Sequence, residues 1–256
     1  MKKTILASCL ALACSIVMAE DKPELTISEV TRNVYCVTHA YPWAANSLIA
    51  VMDDKTVVVI DTPYTPDAME EELRWIRDRF GEAKIVAINT HFHVDRLGGN
   101  AALKGKGIPI YGSELTTRAI KERGNRSSDW TASGVKNEKQ RNYYANFEYT
   151  PPDHVFDSRK GLTLKFRPEE VIVRYHGVGH SVDNLIVFLP SKKVVFGGCA
   201  IASAEATGPG NVADGDIGEW KKTLDRVDVT GYTYVIPGHG KIGGSELIER
   251  TKNLCK

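Results

Sequence analysis

Residues 89–100 read Asn-Thr-His-Phe-His-Val-Asp-Arg-Leu-Gly-Gly-Asn, which sets His91, His93 and Asp95 at alternating positions. Imidazole and carboxylate both ligate metals, but alternating polar residues are also the wet face of a strand, so this spacing alone leaves both readings open. Three further segments carry one ligand-type side chain each beside glycine: Gly177-Val178-Gly179-His180-Ser181, Gly197-Gly198-Cys199 and Pro237-Gly238-His239-Gly240. Glycine lets the backbone turn tightly at such points. The joint pattern gives six candidate ligands: His91, His93, Asp95, His180, Cys199 and His239. Zinc favours this mixture of imidazole, thiolate and carboxylate, and a catalytic zinc takes three protein ligands with one position open, so six ligands divide into two sets. His39, His154 and His176 lack the setting and read as structural or surface residues, with His176 the closest competitor of His180. Arg96 stands directly after Asp95 although a guanidinium stays protonated and has no lone pair to offer a cation.

Each candidate segment follows a run of strand-forming residues, and open α/β folds bind ligands beyond the carboxyl ends of their strands. Strands are expected over 25–30, 34–38, 47–52, 56–60 and 84–88 in the first half, and over 170–175, 184–189, 193–196 and 232–236 in the second. Thr65 and Pro66 predict a helix start, and Met69, Leu73, Ile76 and Phe80 recur at helical spacing, so one face of that helix is buried. Further helices are expected over about 216–227 and from Ser245 onward. Residues 113–150 are less legible: helix is expected over 114–123, followed by a polar stretch with Tyr143, Tyr144, Phe147 and Tyr149 that is either partly helical or a solvated loop. No low-complexity segment or Pro/Ser linker divides the chain, so one domain over residues 20–256, with two similar halves, is the economical expectation.

The first residues are not fold material. Lys2 and Lys3 precede an apolar run over 4–17, and Val17-Met18-Ala19 offers the small side chains a signal peptidase needs, which predicts a signal peptide over 1–19 and export to a bacterial periplasm. Removing 19 of the 256 residues leaves 237, within the range of one large α/β domain. It also takes Lys+Arg from 33 to 31 against 32 Asp+Glu, a net charge of −1, which argues against nucleic-acid and membrane-surface partners, and because no other segment is apolar enough to cross a membrane, no membrane anchor is expected. Cys36, Cys199 and Cys255 then remain. An odd number in an oxidising compartment leaves at least one outside any intramolecular disulfide.

On these residues the chain resembles the metallo-β-lactamases, and among them subclass B1. The family's His-x-His-x-Asp motif stands as His91-Phe92-His93-Val94-Asp95, and its later histidine, cysteine and final histidine match His180, Cys199 and His239. The likeness spans nearly all of the chain after residue 19, including Asp61 and Gly210-Asn211. It implies an α/β fold of the αββα type, two mixed sheets packed face to face with helices outside, and two Zn2+ ions at one edge. One ion would take His91, His93 and His180, and the other Asp95, Cys199 and His239. Related hydrolases of this fold carry histidine after the motif's aspartate and aspartate in place of the cysteine, whereas B2 relatives replace the first histidine with asparagine. The combination of His91, Arg96 and Cys199 therefore points to B1.

The resemblance implies a monomeric hydrolase that opens the β-lactam amide of penicillins, cephalosporins or carbapenems and confers antibiotic resistance. Zinc lowers the pKa of a bound water to about 7. Asp95 would orient that nucleophile, and the Asn211 amide would meet the oxyanion, while Asn211 read from the sequence alone is also a loop-capping residue. Asp61 would orient the ligating groups, and Arg96 would pair with a carboxylate beneath the Cys199 ion. With Cys199 engaged as thiolate, Cys36 and Cys255 are left to pair. One departure bears on substrate: many B1 enzymes place a lysine three residues after the cysteine, and here Ala202 stands there. Lys241 or Arg96 would have to meet the substrate carboxylate instead, and Trp43, at the tip of the loop over 40–46, would cover an apolar group or pack on the sheet. Two rival readings remain, a thioester, lactone or phosphodiester hydrolase of the same fold and a non-catalytic zinc-binding protein.

Overall fold

The computed structural model describes residues 25–256, so the signal peptide expected over 1–19 lies outside the described residues. Chain order begins with an antiparallel meander of β1 (Leu25–Thr31), β2 (Val34–His39), β3 (Ala45–Val51) and β4 (Val57–Ile60). Helix α1 (Pro66–Phe80) then crosses over to β5 (Ile85–Ile88), which pairs parallel to β4 with Val57 opposite Ile85. Thr65 caps α1 as expected, its hydroxyl accepting from Ala68 N at 3.2 Å, and Met69, Leu73 and Ile76 are buried. Two short helices, α2 (Val94–Leu97) and α3 (Asn100–Gly105), lead to β6 (Ile110–Ser113). Helices α4 (Glu114–Gly134) and α5 (Glu138–Ala145) precede β7 (His154–Phe156), which closes a seven-stranded sheet in the order β1-β2-β3-β4-β5-β6-β7.

The second sheet has five strands in the order β12-β11-β10-β9-β8: β8 (Leu162–Phe166), β9 (Glu169–Tyr175), β10 (Leu185–Leu189), β11 (Val194–Gly198) and β12 (Tyr234–Pro237). Helix α6 (Ile217–Leu224) intervenes before β12, and α7 (Glu246–Leu254) follows it. Both sheets are mixed, with parallel pairing among β4, β5, β6 and β7 and between β11 and β12.

Alternation along the strands explains the layers. Val34 and Cys36 of β2 face the second sheet, where they join Leu48, Val58, Ile88, Val173, Val187 and Phe196 in the core between the sheets. Tyr35 and Val37 face the other way, onto α1 and α3 with Met69, Ile76 and Leu103. The outer face of the second sheet is covered by α6 and α7 through Trp220, Leu224 and Leu247. The result is the helix-sheet-sheet-helix sandwich expected from the resemblance. Strand runs such as Val57–Ile60 are buried on both faces, which is why they read as continuous apolar segments.

Two expectations need correction. Helix α4 runs 21 residues, well past the expected end at 123, because no proline interrupts 113–150 and its small and polar positions Gly124, Ser127, Ser128 and Thr131 form a buried stripe. Cys36 and Cys255 do not pair: both are free and buried, Cys36 in the inter-sheet core and Cys255 after α7 on the outer face of the second sheet, so that sheet lies between them.

Candidate metal centre

The carboxyl ends of β5, β9, β11 and β12 lie along one edge of the sandwich, which brings four segments remote in sequence to one place. After β5 comes the 91–95 motif, after β9 His180, after β11 Cys199, and after β12 His239. Two groups form there. His91, His93 and His180 are buried with ring centroids 4.7 to 5.2 Å apart and form one cluster able to hold a metal. Asp95, Cys199 and His239 form the other, with Asp95 Oδ2 at 3.2 Å from His239 Nε2 and 3.5 Å from Cys199 Sγ, and Cys199 Sγ at 3.4 Å from His239 Nε2. His91 also lies close to Asp95 and Cys199, their ligand atoms within 4.8 Å of one another, so the groups adjoin.

These donors fit a metal. His91 Nε2 is buried without a hydrogen-bond partner, an orphaned lone pair that a cation satisfies. Burial, reinforced by the neighbouring imidazoles, holds His91 and His180 well below the usual histidine range, so both are neutral and keep the lone pair a metal requires. His93 Nε2 meets Asp214 Oδ2 at 3.2 Å, which commits its proton there and leaves Nδ1, 3.0 Å from His180 Nε2, as the inward atom. His239 Nδ1 likewise meets the Ala44 carbonyl at 2.8 Å, freeing Nε2 toward Cys199 and Asp95. A tetrahedral zinc with Zn–N of about 2.05 Å sets neighbouring ligand atoms about 3.3 Å apart, close to these separations. The backbone is fitted to the sulfur as well: a Cβ on Gly238 would lie 2.8 Å from Cys199 Sγ.

Arg96 is fully buried beneath the second group. Its Nε and Nη2 donate to Asp95 Oδ2 at 2.9 and 2.6 Å, Nη1 donates to the Asn46 carbonyl at 2.6 Å, and Nη2 donates to the Gly238 carbonyl at 3.0 Å. Burial alone would raise the Asp95 carboxyl, but the guanidinium and His239 hold it well below the usual carboxylate range. Burial pushes the Cys199 thiol up, with Arg96 opposing; a bound cation inverts that balance and favours thiolate. Asp61 sits at φ +61°, a left-handed conformation aspartate tolerates better than most residues, and accepts from Thr90 N at 2.7 Å and Thr90 Oγ1 at 2.8 Å. It also stands 3.6 Å from Arg96 Nη1, and burial raises its carboxyl to about 7 against the pull of that cation. Asp61 thus braces the residue before His91 and shares the arginine with Asp95.

Both groups open into a cleft of about 580 Å3 lined by His93, Asp95, His180, Cys199 and His239, together with Trp43, Trp130 and Asn211. Asn211 Oδ1 accepts from Ala213 N at 3.0 Å, a local cap that leaves its amide nitrogen as a donor on the cleft wall. Trp43 is 37% exposed and pairs with Trp130 of α4, ring centroids 4.7 Å apart. A Cβ on Gly134 would lie 2.5 Å from the Trp43 ring, so that glycine admits the indole. Of the two cations considered for substrate, Arg96 is sealed below the floor and Lys241 is exposed outside the lining residues. The three remaining histidines take other roles. His39 is buried and its Nδ1 accepts from Tyr64 N, His154 is exposed and stacks on Tyr111, and His176 is half-buried.

Three features escaped sequence reasoning. Asp214, 2% exposed, orients His93 across 121 positions and is itself approached by Arg123 and Arg126 of α4 at 3.8 Å. Ser127 of the same helix accepts from Val94 N at 3.2 Å, and Trp130 lines the cleft. The arginine pair at i and i+3 on α4 was the one readable sign that this helix faces an acid.

The metallo-beta-lactamase superfamily profile matches residues 40–239. The chain is 30% identical over 239 residues to the metallo-beta-lactamase type 2 of Bacteroides fragilis, covering 90% of this chain and 85% of that protein. It is also 30% identical over 250 residues to the protein of the same description from Bacillus sp. (strain 170), covering 94% and 86%. Among solved structures it is similar to a metallo-beta-lactamase from Pontibacter korlensis, with TM-score 0.76, 27% identity and coverage of 91% of this chain and 99% of that one.

Proposed function

The chain belongs to the metallo-beta-lactamase superfamily, and on that premise we propose that it is a subclass B1 enzyme that uses two Zn2+ ions to hydrolyse the amide bond of β-lactam antibiotics. The observation that carries the reading is the pair of adjoining three-ligand groups facing one cleft, with Arg96 sealed beneath Asp95 in the position where related hydrolases keep a histidine ligand. A structural zinc site is closed by four protein ligands, whereas three-ligand groups leave a position for substrate and water. That distinction also disfavours a purely structural metal protein, and Cys199 with Arg96 disfavours the thioester, lactone and phosphodiester hydrolases.

Under this reading His91, His93 and His180 hold one ion and Asp95, Cys199 and His239 the other. Zinc bound there would supply Lewis acidity toward water and the lactam carbonyl. The protein's own groups do the positioning. Asp95 turns Oδ2 toward Arg96, His239 and Cys199, which leaves Oδ1 to accept a hydrogen bond from the attacking water and fix its line of approach. The Asn211 amide, its carbonyl already tied to Ala213, donates to the oxygen on which negative charge develops. Asp214 keeps the His93 ring in one tautomer throughout. Trp43 and Trp130 wall the cleft.

The deciding experiment is a panel of a penicillin, a cephalosporin and a carbapenem, with a thioester beside them, assayed with and without chelator. Chelator-sensitive opening of at least one lactam is expected, restored by zinc; thioester cleavage without lactam cleavage would overturn the reading. Export to the periplasm and a monomeric state belong to the same proposal. The mass of the exported protein's N-terminus, expected at Glu20, and its sedimentation mass test them.

A further inference from the structure

The cleft wall is uneven in charge. Among the described residues no lysine or arginine side chain lines it, whereas the carboxylate-bearing Glu205 does. Position 202, three residues after Cys199, is alanine, and Arg96 is wholly buried. The segment that carries Glu205 is tied down at both ends to α7: Ala202 N donates to Thr251 Oγ1 at 2.9 Å, and the Arg250 guanidinium donates to the Ala206 carbonyl. In between, Ser203 packs on Gly240, where a Cβ would lie 2.5 Å from Ser203 Oγ and 3.6 Å from Glu205 Oε1. Glu205 therefore presents its carboxylate beside the residue that follows His239, from a loop that cannot swing away without breaking both ties.

The same cleft carries two exposed indoles, Trp43 at 37% and Trp130 at 46% of full exposure, paired at 4.7 Å with their planes inclined by 33°. Aromatic faces attract cations through the ring quadrupole, and a carboxylate on the same cleft wall adds a Coulomb term of the same sign. A wall with an anionic side chain, two indoles and no cationic side chain selects for positive charge on the part of the substrate remote from the lactam ring.

We propose that this cleft favours β-lactams bearing a cationic substituent (an ammonium, pyridinium or other quaternary nitrogen) with Glu205 and the Trp43–Trp130 pair as the receptor for that charge. The proposal rests on the β-lactam hydrolase reading and adds the substrate class to it. Two cephalosporins that share an acyl side chain and the ring carboxylate, one with a quaternary nitrogen on the C3 side chain and one with a neutral group there, isolate the effect. Leaving-group differences between them cancel when the ratio of their kcat/KM values is compared between variants of the zinc-loaded protein. Glu205→Gln is expected to lower the cationic-to-neutral ratio about fivefold, chiefly through KM, as befits one partly exposed charge pair. Glu205→Lys is expected to lower it further, and 0.5 M salt to shrink the difference between wild type and variant, since exposed charges are screened within about 3–10 Å over this range. A ratio unmoved by Glu205→Gln overturns the proposal. A second measurement needs no turnover: benzyltrimethylammonium binding, followed by tryptophan fluorescence, is expected to weaken several-fold in Glu205→Gln and in Trp130→Ala. Binding that is unchanged in both variants overturns the proposal. Intact hydrolysis with an unmoved ratio fails this inference alone, whereas absence of lactam hydrolysis with Glu205-dependent ammonium binding fails the hydrolase reading alone.

Discussion

The two ligand groups share an edge of the sandwich but are built on opposite electrostatic principles. The three histidines are nearly inaccessible, at 0%, 5% and 7% exposure for His91, His93 and His180, and burial keeps them neutral. Their support is a carboxylate, Asp214, set behind one ring. The second group contains two potential anions, Asp95 and Cys199, and is supported by a buried cation, Arg96, while its histidine side chain is 44% exposed. A neutral set backed by an acid grips through preorganised lone pairs. An anionic set backed by a guanidinium would have to share its negative charge between a bound metal and the arginine. The first is therefore expected to be the tighter and the second the more readily emptied.

Substitutions within these groups and their supports can break this comparison. The largest effect is expected from His91→Ala, because His91 adjoins both groups: metal content should fall below one ion per chain, and hydrolysis by about three orders of magnitude or more, the scale of lost Lewis-acid stabilisation. Retention of both ions by mass spectrometry under native conditions would refute the shared position. Cys199→Ser should act on one group only, leaving about one ion per chain on the histidines and reduced but chelator-sensitive hydrolysis. Full activity with two tightly held ions would sink the assignment of the second group.

Next comes Arg96→Met, which strands Asp95 and Asp61 as buried, unmatched carboxylates. Breaking a buried pair costs about 3–5 kcal/mol, so Tm should drop by about 10 °C for a domain of this size, with the Asp95–Cys199–His239 ion lost first on dilution into chelator. Asp214→Asn should instead weaken the histidine group by about 10- to 100-fold in metal affinity and leave Tm within a few degrees. Equal loss from both groups would remove the contrast between them.

The smallest effect lies outside both groups and sharpens the comparison by showing what burial does without a metal. His39, buried against Tyr64, is lowered from 6.5 to about 4 by desolvation. Because the folded value lies below the unfolded one, its contribution to stability is present above pH 6.5 and disappears as pH falls through 4; in magnitude it is on the order of 3 kcal/mol. Glu72, buried with neither oxygen hydrogen-bonded, is raised from 4.5 to about 8, so its contribution has the opposite sense, present below pH 4.5 and lost as pH rises through 8. His39→Gln should flatten the acid limb of a stability–pH curve and Glu72→Gln the alkaline limb, each read by urea midpoints at a series of pH values.

Much of the frame was legible because its strands are continuous β-branched runs and its first long helix is capped and periodic. The ligand-type residues were legible because each follows a strand-forming run, and His180, Cys199 and His239 also sit beside glycine, which are local signatures. What escaped depended on tertiary placement. Strand β7, only three residues long, has too few positions to show a period. Helix α4 hides its buried stripe in glycine, serine and threonine, which hydrophobic periodicity does not register. Asp214 has no local mark at all, since its role exists only once α4 and the loop before α6 meet behind His93. Glu205 was invisible for the same reason: its meaning lies in the cations that the finished cleft lacks.

Arg96 has a consequence for the order in which the molecule is made. Its guanidinium joins the Asn46 carbonyl, at the start of β3 in one sheet, to the Gly238 carbonyl, just past β12 in the other, and Asn46 N in turn donates to Gly238 O at 2.8 Å. The two halves of the sandwich are thus fastened at the rim of the cleft by groups already satisfied within the protein. A chain fastened in this way is expected to reach its shape without metal, so that any ion would be acquired afterwards. Its maturation then depends on how much free metal the surrounding fluid holds, and scarcity would leave a reservoir of folded, dormant protein rather than unfolded chain.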